Sequence, residues 1–278
     1  MDEFSGRTAV VTGASSGIGL GMATRFAAEG MNVVMADIER GRLEEAAKTL
    51  PAKQVLAVVT DVSKAESVAA LEARARGAFG KVHLLCANAG VVTHGSAWNQ
   101  TLDDWTWDVG VNLWGPVHCV RSFVPHMLAH GEPAHVVITA SAAGLRAFSS
   151  SAYSAAKYAA VGLAEGMEPE LAGTNVGVSV LCPGGVKTRI FESERNRPAE
   201  LGQHGTLSPE QQRKVAEFAN PNRTDQYSPA EVAGIVLDAV RRKQLFILPL
   251  QPHHTEFIRD RMQRVLKALD AAPSKRSK

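Results

Sequence analysis

The sequence predicts an α/β fold: a doubly wound, predominantly parallel seven-stranded sheet flanked by helices. Three observations lead there. Short Val-rich runs, most of them apolar throughout, recur along the chain, the pattern of parallel strands buried on both faces. Longer segments with helical periodicity or helix-forming composition separate them, and such alternation builds βαβ units. The alternation continues from Thr8 to Leu181 without an internal repeat or a low-complexity linker.

The elements follow in order. Strands are expected at residues 8–11, 32–36, 54–59, 82–87, 134–139, 176–181 and 244–248. Helices are expected at 17–29, 41–50, 65–79 and 153–171, the last with Pro169 near its end, where the missing N–H makes a kink or a last turn. Residues 189–226 differ: they are polar, contain Pro198, Pro209 and Pro221, and follow the sixth strand. A segment there reads as a substrate lid, because ligands of such sheets bind beyond the carboxyl ends of the strands. We expect one domain over residues 1–270 and a flexible basic tail over 271–278.

Bulk properties narrow the function. The chain has 278 residues, 45% hydrophobic and 21% charged, enough apolar material for a large core without disulfides or metal. Its net charge of +2 gives no electrostatic reason to expect nucleic acid or an anionic membrane as partner. No apolar run reaches the ~20 residues of a membrane span. The start Met1-Asp2-Glu3-Phe4 lacks the basic and apolar regions of a signal peptide. Cys86, Cys119 and Cys182 are far apart, each in an apolar run, and read as buried side chains of a reducing compartment, with no metal site. A cytoplasmic protein is expected.

The first strand runs into Thr12-Gly13-Ala14-Ser15-Ser16-Gly17-Ile18-Gly19. Glycines spaced G-x-x-x-G-x-G between a strand and a helix let the backbone turn tightly and approach a pyrophosphate, which the free N–H groups of the helix start then bind. This is the turn of a Rossmann-type nucleotide site. Asp37 ends the second strand, 18 residues past Gly19. A carboxylate there accepts hydrogen bonds from both ribose hydroxyls and repels a 2′-phosphate, which favours NAD over NADP. Ser16 is not basic, removing one handle for that phosphate, while Arg40 stands close enough in sequence to compete. A helix-capping role for Asp37 is compatible with the ribose role.

Tyr153-Ser154-Ala155-Ala156-Lys157 places a phenol and an ammonium on one helix face, and Ser141 closes an apolar strand 12 residues earlier. With these residues the chain resembles the short-chain dehydrogenase/reductase family over nearly its whole length. The resemblance rests on Thr12-Gly13, Gly17-Ile18-Gly19, Asp61-Val62, Asn88-Ala89-Gly90, Asn112, Ser141, Tyr153 and Lys157, and on Pro183-Gly184 with Thr188. It implies that Tyr153 exchanges a proton with the substrate oxygen, that Ser141 holds that oxygen, and that Lys157 binds the nicotinamide ribose. Asn112 would fix a water that relays protons from Lys157. Cationic Lys157 and the nicotinamide ring would both lower the phenol pKa from its usual ~10. Asp61 and Val62 would contact adenine, Asn88, Ala89 and Gly90 would line the cofactor cleft, and the Val186 backbone with Thr188 would hold the carboxamide. Gly13, Ser15, Ser16, Gly17, Ile18 and Gly19 complete the cofactor set. Two features depart from the family pattern: Ala140 stands where a second serine is common, and the Ser141–Tyr153 gap is one short of a frequent spacing.

The substrate walls are expected from His94, Trp98, Phe148, Ile190 and Phe191; Arg146 and Arg189 are candidate anion contacts, though either alone reads better as solvated surface. That mix suits a mostly apolar secondary alcohol or ketone. Small residues encircle the Tyr153 helix, and with the family resemblance they imply a homotetramer that also uses the helix beginning near Asn112. Two other readings remain: an NAD-binding regulator, for which a broken catalytic set is expected, and an isomerase or lyase of the same fold without net redox turnover.

Overall fold

The computed structural model describes residues 1, 3–51, 54–148, 150–218, 220 and 223–272. Its strands are β1 (Thr8–Thr12), β2 (Asn32–Asp37), β3 (Val55–Val59), β4 (Leu84–Ala87), β5 (Ala134–Thr139), β6 (Val176–Leu181) and β7 (Phe246–Ile247). They form one seven-stranded sheet in the order β3-β2-β1-β4-β5-β6-β7, with every pairing parallel. The expected fold class is therefore observed. β7 is shorter than its apolar run because it has one neighbour, β6, and pairs over two residues.

The helices are α1 (Gly17–Ala28), α2 (Arg40–Lys48), α3 (Ala65–Phe79), α4 (Leu102–Val109), α5 (Gly115–Ala129), α6 (Ser151–Glu170), α7 (Pro209–Phe218), α8 (Pro229–Arg241) and α9 (Pro252–Asp270). Side chains of β1 alternate between two cores. Val10 joins Val34, Leu85, Val136, Phe123 and Met127 on one face. Ala9 and Val11 join Met35, Met22, Phe26 and Val236 on the other. A strand side-chain period of two, covered on both sides, is why these runs carry no polar alternation.

Two expectations are refined. Pro169 falls in the last turn of α6, where the helix ends one residue later. No helix begins at Asn112: a π-turn, Gly110–Trp114, joins α4 to α5, and Asn112 lies inside it. Such one-turn bulges re-aim a side chain within an otherwise continuous helix. Residues 189–226 form two short 3-10 turns, Ile190–Asn196 and Ala199–Leu201, followed by α7. Of the expected basic tail, residues 273–278 lie outside the described residues. Among the described residues no helix is long and apolar enough to cross a membrane.

The strand order reverses between β1 and β4, leaving a crevice at their carboxyl ends. The functional residues collect there.

Candidate functional site

The glycine turn is built for close approach. Gly17 has φ +55, a left-handed conformation that favours glycine. A β-carbon on Gly19 would stand 2.1 Å from the Gly13 carbonyl oxygen, so α1 packs on the turn only because that side chain is missing. Ser16 precedes α1 without a side-chain cap, and the first turn carries no acidic residue. Its N–H groups and dipole are thus free to receive an anion. Ser15 Oγ is buried and, among the described residues, has no hydrogen-bond partner. An unfilled helix start with an orphaned buried hydroxyl fits the pyrophosphate of a dinucleotide.

Asp37 is 9% exposed at the end of β2. Its carboxylate accepts the Ser15 backbone N–H and the Glu39 backbone N–H, both at 3.0 Å. It thereby ties the glycine turn to the start of α2, whose N-cap is Glu39. Arg40 points away: it is 71% exposed and faces Glu44 at 3.7 Å. Among the arginines that line the cleft, Arg195 donates to Glu39 at 2.7 Å, with Asn196 on the same oxygen at 3.0 Å. Burial raises the Glu39 pKa, but Arg195 and Asn196 more than offset it and hold the carboxyl below its usual range.

These residues open on a cleft of roughly 360 Å³ that runs the width of the crevice. Gly13, Ser16, Gly17, Ile18, Asp37, Asp61, Val62, Asn88, Ala89 and Gly90 line one half. Ser15, Gly19 and Asn112 do not reach its surface: Gly19 packs on Gly13, and Asn112 is fully buried. Asp61 accepts the Ser63 backbone N–H at 2.9 Å and its hydroxyl at 2.7 Å, bracing the loop after β3. Asn88 donates from Nδ2 to the Thr12 carbonyl at 2.9 Å and accepts from the Thr139 hydroxyl at 3.2 Å. It therefore pins the ends of β1, β4 and β5 together.

Ser141, Tyr153 and Lys157 meet in the middle of the cleft. Ser141 ends the path from β5, and its hydroxyl accepts the Ala143 N–H at 3.1 Å. The Ser141 hydroxyl favours the ionised form of the Tyr153 phenol beside it. Tyr153 stands in the first turn of α6 and Lys157 one turn later, with its Nζ 5.6 Å from the Tyr153 ring centre. Lys157 Nζ donates to the Thr139 carbonyl at 2.9 Å. Burial pushes the Tyr153 phenol up to about 12, and Ser141 opposes that rise. Burial also presses the Lys157 ammonium down to about 8. Removal from water costs both charged forms more than this structure returns.

Asn112 donates from Nδ2 to the Val91 carbonyl at 2.9 Å, and its Oδ1 accepts the Val91 N–H at 3.3 Å. A β-carbon on Gly90 would lie 3.0 Å from Asn112 Oδ1 and 3.5 Å from Lys157 Nζ. Both groups converge on the space that glycine leaves open.

Pro183, Gly184, Val186 and Thr188 line the cleft as well. Gln251, at the N-cap of α9, clamps Gly185 through both its N–H and its carbonyl at 2.8 Å each. The other half of the cleft is mostly apolar, with His94, Phe148, Ile190 and Phe191 in its wall. His94 stacks on Phe191, ring centres 6.0 Å apart, and its pKa falls to about 4 through burial, so it is neutral at pH 7. One expected wall residue and one candidate anion contact are elsewhere. Trp98 is 84% exposed, and Arg146 lies outside the lining, over Phe257 at 4.3 Å. Arg189 does line the cleft, already paired with Glu192 at 2.6 Å. His254, brought from α9, was not expected there. The segment after β6 is held by Arg197, whose Nη1 meets buried Asp104 of α4 at 2.8 Å.

Residues 7–199 match the family model for short chain dehydrogenases. The chain belongs to the short-chain dehydrogenase family. This family's members are oxidoreductases that use nicotinamide cofactors, and the free helix start, the orphaned Ser15 hydroxyl and the glycine turn fit such a group. Among relatives, the chain is 33% identical over 253 residues to a C alpha-dehydrogenase of Sphingobium sp., covering 90% of this chain and 82% of that one. It is 42% identical over 191 residues to the 1-deoxy-11-beta-hydroxypentalenate dehydrogenase of Streptomyces exfoliatus, covering 67% and 70%. A crystal structure of a short-chain dehydrogenase/reductase from Burkholderia phymatum in complex with NAD superposes with TM-score 0.91 at 38% identity, covering all of both chains.

Proposed function

We propose that this short-chain dehydrogenase transfers a hydride between NAD(H) and a mostly apolar secondary alcohol or ketone, with Tyr153 as the general acid and base. The observation that carries this reading is the meeting of Ser141, Tyr153 and Lys157 in one cleft, between a dinucleotide-type glycine turn and an apolar wall. The nicotinamide, when bound, supplies the hydride chemistry. The chain's residues do the rest. Ser141 orients the substrate oxygen toward the phenol. Tyr153 gives or takes the proton at its hydroxyl. Lys157 binds the nicotinamide ribose and, with Asn112 and a water between them, returns the proton to solvent. His94, Phe148 and Phe191 hold the apolar body of the substrate.

A phenol at about 12 is a poor base at neutral pH. The positive nicotinamide ring of bound NAD would favour the phenolate and bring the group toward its working range. NAD is favoured over NADP because Asp37 and Glu39 face the ribose end of the cleft, while Arg40 is turned to solvent. The three free, buried cysteines suit a reducing cytoplasm. Exposed small residues on α6, Ala155 and Gly162, and half-exposed Trp114 support a homotetramer through the α5 and α6 faces.

An absorbance assay at the NADH band against a panel of secondary alcohols and ketones, with NAD and NADP in parallel, tests the reading. Net NADH formation from an apolar secondary alcohol is expected. Tight NAD binding with no turnover of any panel member, or isomerisation without net NADH, would replace it.

A further inference from the structure

Asp108 is a fully buried carboxylate that the proposed reaction leaves without a role. It stands in the last turn of α4, four residues before Asn112. Its Oδ1 accepts Asn112 Nδ2 at 2.6 Å, and its Oδ2 accepts the Thr93 backbone N–H at 3.0 Å and, in a short bond, the Thr93 hydroxyl.

The direction of each bond is fixed by its surroundings. The Ala152 N–H donates to Gln100 Oε1 at 3.0 Å, which turns Gln100 Nε2 toward the Thr93 hydroxyl at 2.8 Å. With that donor on its oxygen, the Thr93 hydroxyl points its own hydrogen at Asp108. Asn112 is equally constrained. Its two Nδ2 hydrogens go to Asp108 and to the Val91 carbonyl, and a backbone carbonyl only accepts. Asn112 Oδ1 is left facing the Val91 N–H and the Gly90 gap beside Lys157 Nζ. Every group touching Asp108 is thus a donor, the environment of an ionised carboxylate. Burial pushes this carboxyl up to about 6, while the Thr93 and Asn112 hydrogen bonds and the Lys157 charge oppose it. It is an anion at neutral pH.

We propose that Asp108 is a positioning residue: a buried anion that sets the Asn112 amide and acts electrostatically on Lys157 and Tyr153. The inference rests on the reading of Tyr153 and Lys157 given above. The geometric link to Lys157 runs through Asn112, which binds Asp108 through Nδ2 and borders, with Lys157 Nζ, the gap at Gly90; the charge of Asp108 opposes the lowering of the Lys157 pKa by burial and adds to the rise of Tyr153. Asp104, one turn earlier on α4, is neutralised by Arg197 of the segment after β6.

Asp108→Asn tests this, because it keeps the shape and removes the charge. A negative charge raises the pKa of both a phenol and an ammonium, so its loss lowers both. Both limbs of the kcat–pH profile should move to lower pH, by at least about half a unit. kcat should fall at least about tenfold, the equivalent of one charge-assisted hydrogen bond, with NADH affinity by fluorescence titration retained. A folded variant with unshifted limbs overturns the proposal, whether kcat is normal or merely reduced; in that case the carboxylate only fills space. Should the asparagine variant not fold, Thr93→Val serves. It removes one donor from the anion, so Asp108 is neutral over more of the pH range and the limbs should move to lower pH as in Asp108→Asn, though by less; unmoved limbs overturn the proposal. Full turnover by Tyr153→Phe would instead remove the reading beneath it, so the two failures are distinguishable.

Discussion

Replacing Asp37 by asparagine separates cofactor choice from the shape of the glycine turn. The wild-type carboxylate uses one oxygen for the Ser15 N–H and the other for the Glu39 N–H, each at 3.0 Å. Alanine would strip both partners from a turn that must stay closed around Gly13 and Gly19. Asparagine keeps one acceptor and the side-chain volume, but loses the charge and one charge-assisted bond. Such a bond contributes about 1.5–3 kcal/mol, and 1.4 kcal/mol is a factor of ten. The specificity constant for NAD should therefore fall by roughly 10- to 150-fold. NADP should lose less, since the repulsion between a carboxylate and its 2′-phosphate disappears together with the bond. At about 4 Å and an effective dielectric near 20 that repulsion is worth up to about 4 kcal/mol before salt screening. Wild type should prefer NAD at least about tenfold, and the variant's ratio should approach unity. Steady-state kinetics with both cofactors at fixed ionic strength reads both numbers. A wild-type preference for NADP, or a ratio that Asp37→Asn leaves unchanged, would refute the assignment and turn attention to Arg195, which lines the cleft beside Glu39.

Two further outcomes follow from buried charges. Arg197→Met leaves Asp104 buried, with only the Thr101 and Gly205 N–H groups on its carboxylate. Breaking a buried pair costs about 3–5 kcal/mol, so at 2–4 °C per kcal/mol calorimetry should show Tm lower by at least about 6 °C; a change within about 2 °C would show that the clasp contributes nothing. Burial holds the His135 pKa down at about 3. The folded chain then keeps this imidazole neutral while the unfolded chain takes up a proton below about 6.5, so stability falls as pH drops from 6.5 toward 3. Tm measured across that window should decline, and His135→Gln should flatten the decline; an equally steep slope in the variant would remove His135 as its cause.

The fold was legible because its strands are buried on both faces. Residues 134–139 and 176–181 carry no polar side-chain pattern that another architecture would explain, and both appear as β5 and β6 with the expected bounds. α4 and α8 were less visible, although both begin with a side-chain capping box, Thr101 with Asp104 and Ser228 with Glu231. Such four-residue signals mark a helix start but not whether an apolar face follows, and both helices begin in polar stretches. The residues singled out around the cleft were mostly those whose spacing along one element fixes their direction, as with Tyr153 and Lys157. What escaped was long-range. His254 and Gln251 arrive from the last helix, and nothing near them in sequence points to a cleft. Asp108 escaped because its other partner, Thr93, lies 15 residues before it in a loop, and an i,i+4 pair with Asn112 on one helix face does not by itself announce a buried anion. Trp98 failed for the opposite reason: large and apolar, it was assigned to the wall by type, and its backbone carries it into solvent.

The most direct test of the account is Tyr153→Phe, measured for NADH binding and for turnover in the same preparation. The ring and its packing remain, and only the exchangeable proton is lost. NADH affinity by fluorescence titration should stay close to wild type, while turnover of an alcohol identified in the panel should fall at least about 100-fold, the lower bound for general acid–base catalysis. Near-normal turnover in a folded, NADH-binding variant would contradict the account at its centre.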